Sequence, residues 1–360
     1  MKKLNSLSIL ILCLTGLSFA NNNSDSTEAT SKTTFGGLPA VAYSEETGLQ
    51  LGALVKYYLP HGSEATPASI GFAYLGSFKN QHKISLFPNI YSPSGTWFYK
   101  GANDLLLWPT EHFGIAEEAH QDSAQLYKRK AIIHESILDK KIHPDFWLGG
   151  KFVFQYDKNE WNSDSLALNH PWRNQRAFGG GLATGLGARI IYDKRDRVKA
   201  PLEGFRSLTE YLIIASDRPE IDLGALFLFQ ASNYYPVANG TLGASFKWQN
   251  ATGEIPVFML PTLDGVYQAR GVKKGRYRAN INATAQLELR QKLFWRIWGA
   301  AYTELASVSN TLDTFGNELI PIFGGGVRYE LNPEQHDHVR VDVSYVEGGM
   351  GLVVYVNEAF

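Results

Sequence analysis

The stretch Ala283-Thr-Ala-Gln-Leu-Glu-Leu-Arg-Gln-Lys-Leu-Phe294 alternates apolar and polar side chains with a period of two. Alanine and leucine occupy one alternate set, whereas Thr284, Gln286, Glu288 and Arg290 occupy the other. Successive side chains of a β-strand point to opposite faces. The pattern therefore predicts a strand with one apolar face and one polar face.

The same pattern recurs along the chain from Gly37 onward, with turn residues (Gly, Pro, Asn or Asp) between the segments. Clear examples are 48–58, 68–78, 146–156, 181–192 and 339–345. We count about sixteen segments of roughly 20 residues each, the spacing of membrane-spanning strands with their connections. An open sheet edge in lipid would leave backbone groups unpaired. The chain is therefore predicted to be all-β, a transmembrane antiparallel β-barrel of about 16 strands.

The N-terminus has the pattern of a secretory signal peptide at residues 1–20. Two lysines precede an apolar run, and Ser18-Phe19-Ala20 supplies small residues at the cleavage site. The apolar run is much shorter than the ~20 residues of a membrane helix. The only cysteine, Cys13, lies inside this segment, so we expect a mature chain without disulfides or a cysteine-based metal site.

The mature chain is predicted to consist of two parts. Residues 21–36 are rich in Asn, Ser and Thr and are predicted to be a flexible periplasmic leader, because they carry too little apolar surface to fold. Residues 37–360 are predicted to form the outer-membrane barrel domain.

The composition argues against two other classes of protein. The chain has 34 basic and 35 acidic residues, and removal of Lys2 and Lys3 leaves 32 against 35, so no nucleic-acid partner is indicated. No stretch after residue 20 is both apolar and long enough for a membrane helix, which argues against a helical membrane protein.

Several motifs resemble those of BamA/TamA-type barrels, the bacterial surface antigen family. The first is the strand and hairpin 185–206, with charged and turn residues at Asp193, Arg195, Asp196, Pro201 and Gly204. The residues alone indicate only a charged turn, whereas the resemblance implies a structural hairpin. Neither interpretation implies catalysis.

Two further motifs resemble the family's inward-folded loop and the strand facing it. The loop motif is Ala269-Arg270-Gly271-Val272, and the strand motif is Tyr302-Thr-Glu304-Leu-Ala306. The resemblance implies a long loop between strands 11 and 12 that folds into the lumen, where Arg270 pairs with Glu304. Without the resemblance, the simpler interpretation is that Arg270 lies in a solvated loop.

The chain ends on an aromatic residue, as outer-membrane barrels usually do. The final strand is predicted to run from Gly351 to Phe360, and Phe360 is predicted to serve as the C-terminal signal for the assembly machinery. Gly324, Gly325 and Gly326 are not followed by a strand-to-helix transition, so a phosphate loop is excluded, and either a bend or close packing in the lumen is favoured.

The resemblance implies a role in the assembly or transport of outer-membrane proteins or lipids. We expect outer-membrane lipids and the assembly machinery as partners. Periplasmic proteins are further candidates, since the leader has no room for a polypeptide-transport-associated domain. The alternatives are a passive pore or structural surface protein of the same fold and, with less support, a lipid hydrolase inside the barrel. No enzyme activity, cofactor or metal is predicted; His336 and His338 have no third ligand near them in the sequence.

Overall fold

The computed structural model describes residues 9–11, 35–44, 48–63, 66–116, 124–161, 175–332 and 336–360. Their regular secondary structure is β-strand, apart from short turns such as the 3-10 turn at Val257–Met259. None of the described residues belongs to a helix that is long and apolar enough to cross a membrane. The predicted signal peptide and leader lie almost wholly outside the described residues.

The strands are numbered in chain order. They are β1 (Ile9–Ile11), β2 (Phe35–Ser44), β3 (Gly48–Ser63), β4 (Thr66–Ser77), β5 (Gln81–Tyr91), β6 (Trp97–His112), β7 (Gln125–His143), β8 (Phe146–Trp161), β9 (Gly180–Asp193), β10 (Gly204–Ser216), β11 (Gly224–Val237), β12 (Gly240–Gly253), β13 (Ile281–Phe294), β14 (Ile297–Ser309), β15 (Ile320–Asn332), β16 (Asp337–Val346) and β17 (Gly349–Val356).

Sixteen of these strands, β2 to β17, form one antiparallel barrel. Each pairs with the next strand along the chain. β9 pairs with β10, whereas β17 and β2, the two ends of the run, both contact β1. The predicted sixteen-stranded barrel is confirmed, and its first strand begins at Phe35, two residues before the predicted start. The three-residue β1, which falls within the predicted signal peptide, pairs with residues 41–43 of β2.

The shortest strands lie at the seam, the place where the two ends of the run, β17 and β2, flank β1. β17 has 8 residues and β2 and β16 have 10 each, whereas the other strands of the barrel have 11 to 19. Because neighbouring strands are joined by hydrogen bonds along their length, short strands can form fewer of these bonds, and the wall is held together least strongly at this seam.

The two faces of the barrel wall differ as the alternation predicts. On β13, Leu287 and Leu289 are 45% and 39% exposed on the outer face, whereas Glu288 and Arg290 are 0% and 3% exposed on the inner face. Large apolar side chains are exposed on every strand from β3 to β17. A belt of this kind around a whole barrel matches the lipid-facing surface of membrane barrels.

The even-numbered strands run toward one end of the barrel, which we call the loop end. The connection from β12 to β13, residues 254–280, leaves the wall there. It joins the eleventh and twelfth strands of the barrel, which is the predicted position of the long loop. The odd-numbered strands run toward the opposite end, the base, where the chain ends after β17.

Candidate functional site

The connection 254–280, which we call the lumenal loop, folds back into the barrel. Leu263 is fully buried in an apolar cluster that includes Ala116, from the β6–β7 connection, and Ile322 on β15. The backbone nitrogen of Ala116 also donates to the carbonyl oxygen of Arg278 at 2.8 Å. The loop therefore packs against both β15 and the connection between β6 and β7, which are far apart in the strand order.

Arg270 lies on the lumenal loop and is completely buried. Its Nε donates to Glu304 on β14, and its backbone nitrogen donates to the other oxygen of that carboxylate at 3.2 Å. Its Nη1 lies 2.5 Å from an oxygen of Glu288 and 3.3 Å from one of Asp342. The guanidinium carbon lies 3.3 Å from the centroid of the Tyr302 ring, which adds a cation–π contact.

Two arginines on the wall extend this network toward the base. Arg328 donates to Asp342, and its Nη2 and Nε lie 3.3 Å from Glu288 and 3.2 Å from Glu358. Arg290 donates from its Nε to Glu288 at 2.5 Å. Glu288 thus accepts from the loop and from two strands, so it fixes the loop to the wall.

Arg340 on β16 ties the wall to the loop and to the C-terminal tail. It donates to Asp342, to the carbonyl oxygen of Val266 at 2.6 Å and to the carbonyl oxygen of Asn357 at 3.0 Å. Four guanidinium groups and four carboxylates form the whole network, and their formal charges cancel. We call it the ionic cluster: Arg270, Arg290, Arg328, Arg340, Glu288, Glu304, Asp342 and Glu358.

The charge balance explains how so many ions can be buried together. Burial disfavours the charged form of Arg270, but the neighbouring Glu288, Glu304 and Asp342 outweigh that cost and raise the pKa of its guanidinium. Removing one partner from such a set leaves another buried charge unpaired, at a cost of about 3–5 kcal/mol. The ionic cluster can therefore hold the lumenal loop only while it is complete.

Glycines on β15 make room for the cluster. A Cβ on Gly324 would lie 2.3 Å from the Tyr302 ring, and a Cβ on Gly326 would lie 2.1 Å from Oδ1 of Asp342. The glycine run therefore serves close packing against the inner face of the wall.

The loop backbone packs directly on the last strand at Gly271. This residue has a φ of +87°, which favours glycine. Its Cα would lie only 2.4 Å from a Cβ placed on Gly351 of β17. Two glycines facing each other bring the loop and the strand into backbone contact.

The charged hairpin after β9 is organised by its own side chains. Arg195 donates from Nε and Nη2 to Asp193 at 2.7 and 2.6 Å. Asp196 accepts from the backbone nitrogens of Leu202 and Glu203, just before β10, at 3.0 and 3.3 Å. Pro201 is buried, and Gly204 has a φ of +104°. The hairpin lies at the base and is separate in sequence and position from the Arg270–Glu304 contact.

The chain end differs from the predicted strand. β17 ends at Val356, and the tail turns at Asn357, which has a φ of +69°. The predicted strand to Phe360 is wrong in its last residues, because Glu358 turns inward to the arginines of the ionic cluster. Phe360 stacks on Tyr234 with a centroid distance of 6.1 Å, and its carbonyl oxygen accepts from an arginine of β13 at 3.0 Å.

The carboxylate of Glu358, in the C-terminal tail, makes the stability of the fold depend on pH. Burial disfavours the charged form of Glu358, but Arg290, Arg328 and His338 outweigh this and hold its pKa well below the ordinary range. A lowered folded-state pKa stabilises the fold at a pH above the unfolded value of about 4.3, and this benefit is lost progressively as the pH falls from there toward the folded value. We expect the melting temperature to fall steadily below about pH 5 in the wild-type protein and to fall less steeply in Glu358→Gln. Equal slopes in detergent-solubilised samples would contradict this role.

Comparison with known proteins supports the fold. No family model matches the chain, and no curated protein matches it in sequence. Among solved structures, the barrel is similar to the crystal structure of BamA from Haemophilus ducreyi lacking POTRA domains 1-3. The TM-score is 0.60 at 14% sequence identity, over 91% of this chain and 69% of that chain. The chain has a BamA-like barrel fold. At this identity the likeness extends to the fold alone, because one fold can serve many functions.

The motifs identified in the sequence form only part of the site. The structure brings Arg270, Gly271 and Glu304 together, but Glu288 and Arg290 were not singled out as site residues. In the sequence, each of them is a charged residue on the polar face of a predicted strand. Such residues line the lumen both of an empty pore and of a barrel filled by a loop, so they did not indicate a site. Only the three-dimensional arrangement shows that these charges meet at the loop.

Proposed function

We propose that this protein is a bacterial outer-membrane barrel with a loop-filled lumen, acting in the assembly or transport of outer-membrane proteins or lipids. The lumenal loop, fixed inside the barrel by the buried ionic cluster, carries the proposal. Its side chains and backbone occupy space through which a passive pore would conduct. The outer apolar belt supports residence in the membrane, and the BamA-like fold supports the assembly class by analogy.

The seam is the second feature that supports an assembly role. The strands on either side of it are the shortest in the barrel, and cleavage at the predicted signal peptide would remove β1 from residues 41–43 of β2. A strand edge with unpaired backbone groups can pair with another chain. We propose that a client strand or a lipid is handled at this seam, with periplasmic proteins delivering it.

Recognition of the chain's own end would take place before folding. In the folded barrel the Phe360 ring stacks on Tyr234, and Glu358 is buried among arginines. We therefore propose that the assembly machinery reads the C-terminal residues in the unfolded chain, before the tail turns into the base.

A passive pore is the main alternative, and single-channel recording distinguishes it. We expect the purified wild-type protein in a planar lipid bilayer to give small, noisy conductance, because the lumenal loop fills the interior. Large, steady channels would contradict the loop-filled barrel and favour the pore.

A lipid hydrolase with its active site inside the barrel is the third hypothesis. We propose instead that the protein is not an enzyme. The purified protein should leave common phospholipids intact over hours, as measured by mass spectrometry of extracted lipids. Release of fatty acid at a rate proportional to protein concentration would overturn this assignment.

A further inference from the structure

The outer wall of the barrel carries a groove across β5 to β8, close to the loop end. It has a volume of about 320 Å³ and an apolar lining. Four residues form its floor as one cross-strand row, since Ile84 pairs with Leu105, Leu105 with Ile132, and Ile132 with Tyr156. These side chains are 38–50% exposed on the outer face.

A cationic row lies directly beside this apolar row, one outward position nearer the loop end. There, Leu107 pairs with Lys130, which pairs with Lys158. One further outward position along β7 is Lys128, which pairs with Glu160. Three lysines on two neighbouring strands thus project from the wall just above the groove.

One carboxylate lies among these lysines and neutralises only part of their charge. Glu160 lies 2.7 Å from Nζ of Lys130 and 3.9 Å from Nζ of Lys158. Lys128 pairs with Glu160 across β7 and β8, so all three lysines lie around this carboxylate. The patch therefore has a net formal charge of +2, and its lysines remain accessible, with Lys130 48% and Lys158 59% exposed.

We propose that this part of the wall binds a phosphorylated membrane lipid, with an acyl chain in the groove and the phosphate on Lys128, Lys130 and Lys158. An apolar groove next to a cationic row matches the two parts of such a lipid, and it places the headgroup at the loop end. A neutral lipid would fill the groove but gain nothing from the lysines. The inference rests on the proposed outer-membrane residence and not on the assembly role.

The position of the groove along the barrel wall indicates which leaflet of the membrane supplies the lipid. The groove lies on the lumenal-loop side of the wall, the side opposite the chain end, so the ligand belongs to the leaflet at the loop end. The predicted periplasmic leader enters the wall at the base, where β2 begins, so the loop end faces the cell exterior and the ligand is a phosphorylated glycolipid of the outer leaflet. Diphosphoryl lipid A is therefore the probe for the test.

Native mass spectrometry of the full chain in detergent tests the site. We compare wild type with Lys128→Gln/Lys158→Gln, which leaves Lys130 and Glu160 to neutralise each other. A lysine near a membrane surface contributes about 1 kcal/mol of attraction to anionic lipid, so the double variant, which removes two lysines, should weaken lipid A binding by about thirtyfold. The matched control is Lys140→Gln/Lys141→Gln, which removes two exposed lysines from the opposite end of β7 and should change binding less than twofold.

Two further measurements separate the parts of the proposed ligand. Leu105→Trp fills the groove without altering the lysines and should also weaken lipid A binding, whereas inorganic phosphate should not compete. Phosphatidylcholine should bind the wild type and the lysine variant equally. Equal lipid A binding by the wild type and both site variants, with all of them migrating as folded barrels on unheated gels, would overturn the site. That result would leave the assembly role untouched.

Discussion

Arg270→Ala should convert a nearly closed barrel into a conducting one. Arg270 is the only member of the ionic cluster on the lumenal loop, and its guanidinium contacts three carboxylates on three different strands. Without it the loop loses its main ionic contacts with the wall. We expect larger and longer single-channel events in planar bilayers, with conductance raised several-fold over the wild type.

The same change should also lower stability. The three carboxylates are completely buried and would remain without one of their cations, at a cost of about 3–5 kcal/mol. Arg270→Lys keeps one positive charge but lacks the forked guanidinium, so it should lie between wild type and alanine in both measurements. Thermal unfolding of detergent-solubilised protein gives the stability change.

Arg189→Ala is the matched control for conductance. Arg189 is a buried arginine of the inner face on β9 that pairs with Asp139 and Glu210 on the wall. Its removal also takes one cation from the lumen but leaves the loop contacts intact. If Arg189→Ala raised conductance as much as Arg270→Ala, lumen charge rather than loop release would explain the effect.

Gly351→Val should detach the lumenal loop from the last strand by steric means alone. A Cβ at Gly351 would lie 2.4 Å from Cα and 2.6 Å from the carbonyl oxygen of Gly271. Backbone atoms cannot move aside as a flexible side chain can, so either the loop or β17 must shift. We expect a loss of several kcal/mol in stability, with a smaller folded fraction on unheated gels.

Gly349→Val provides the control on the same strand. A Cβ at Gly349 has only the carbonyl oxygen of Val346 near it, at 3.7 Å, which is an ordinary contact. Valine also suits a strand at least as well as glycine does. This variant should fold like the wild type. Equal loss of folding in the two variants would show that β17 tolerates no valine at all, and the loop contact would then not be the cause.

Much of the fold could be predicted from the sequence because barrel walls impose a strict period of two. The stretch 283–294 shows this, since its leucines lie outside and its charged residues inside, as the alternation requires. The strand count also follows, because each crossing of a membrane needs a segment of nearly fixed length. The position of the long loop then follows from counting.

The chain end could not be predicted in the same way. The last ten residues continue an acceptable strand pattern, and nothing local shows that Glu358 leaves it. The tail turns because buried arginines on β13 and β15 attract its carboxylate, and these residues are 68 and 30 positions away in the sequence. Long-range electrostatics of this kind carries no periodic signal.

Only part of the ionic cluster could be predicted from the sequence, for a related reason. The resemblance predicts that one arginine pairs with one glutamate, whereas nothing in the sequence assigns a partner to Glu288, Arg328 or Asp342. Their mutual distances depend on barrel curvature and on the path of the loop. The outer groove could not be predicted either, because its apolar and cationic rows are formed by residues of neighbouring strands that are far apart in the sequence.

Depletion of this protein in its own cells tests its proposed role most directly. Outer-membrane levels of other barrels and phospholipid exposed at the cell surface are measured alongside uptake of small solutes. An assembly or transport role requires that other barrels decline or that surface phospholipid rises before uptake changes. Normal barrels and normal lipid asymmetry, together with a selective uptake defect, would contradict that role and make the protein a channel that shares the fold.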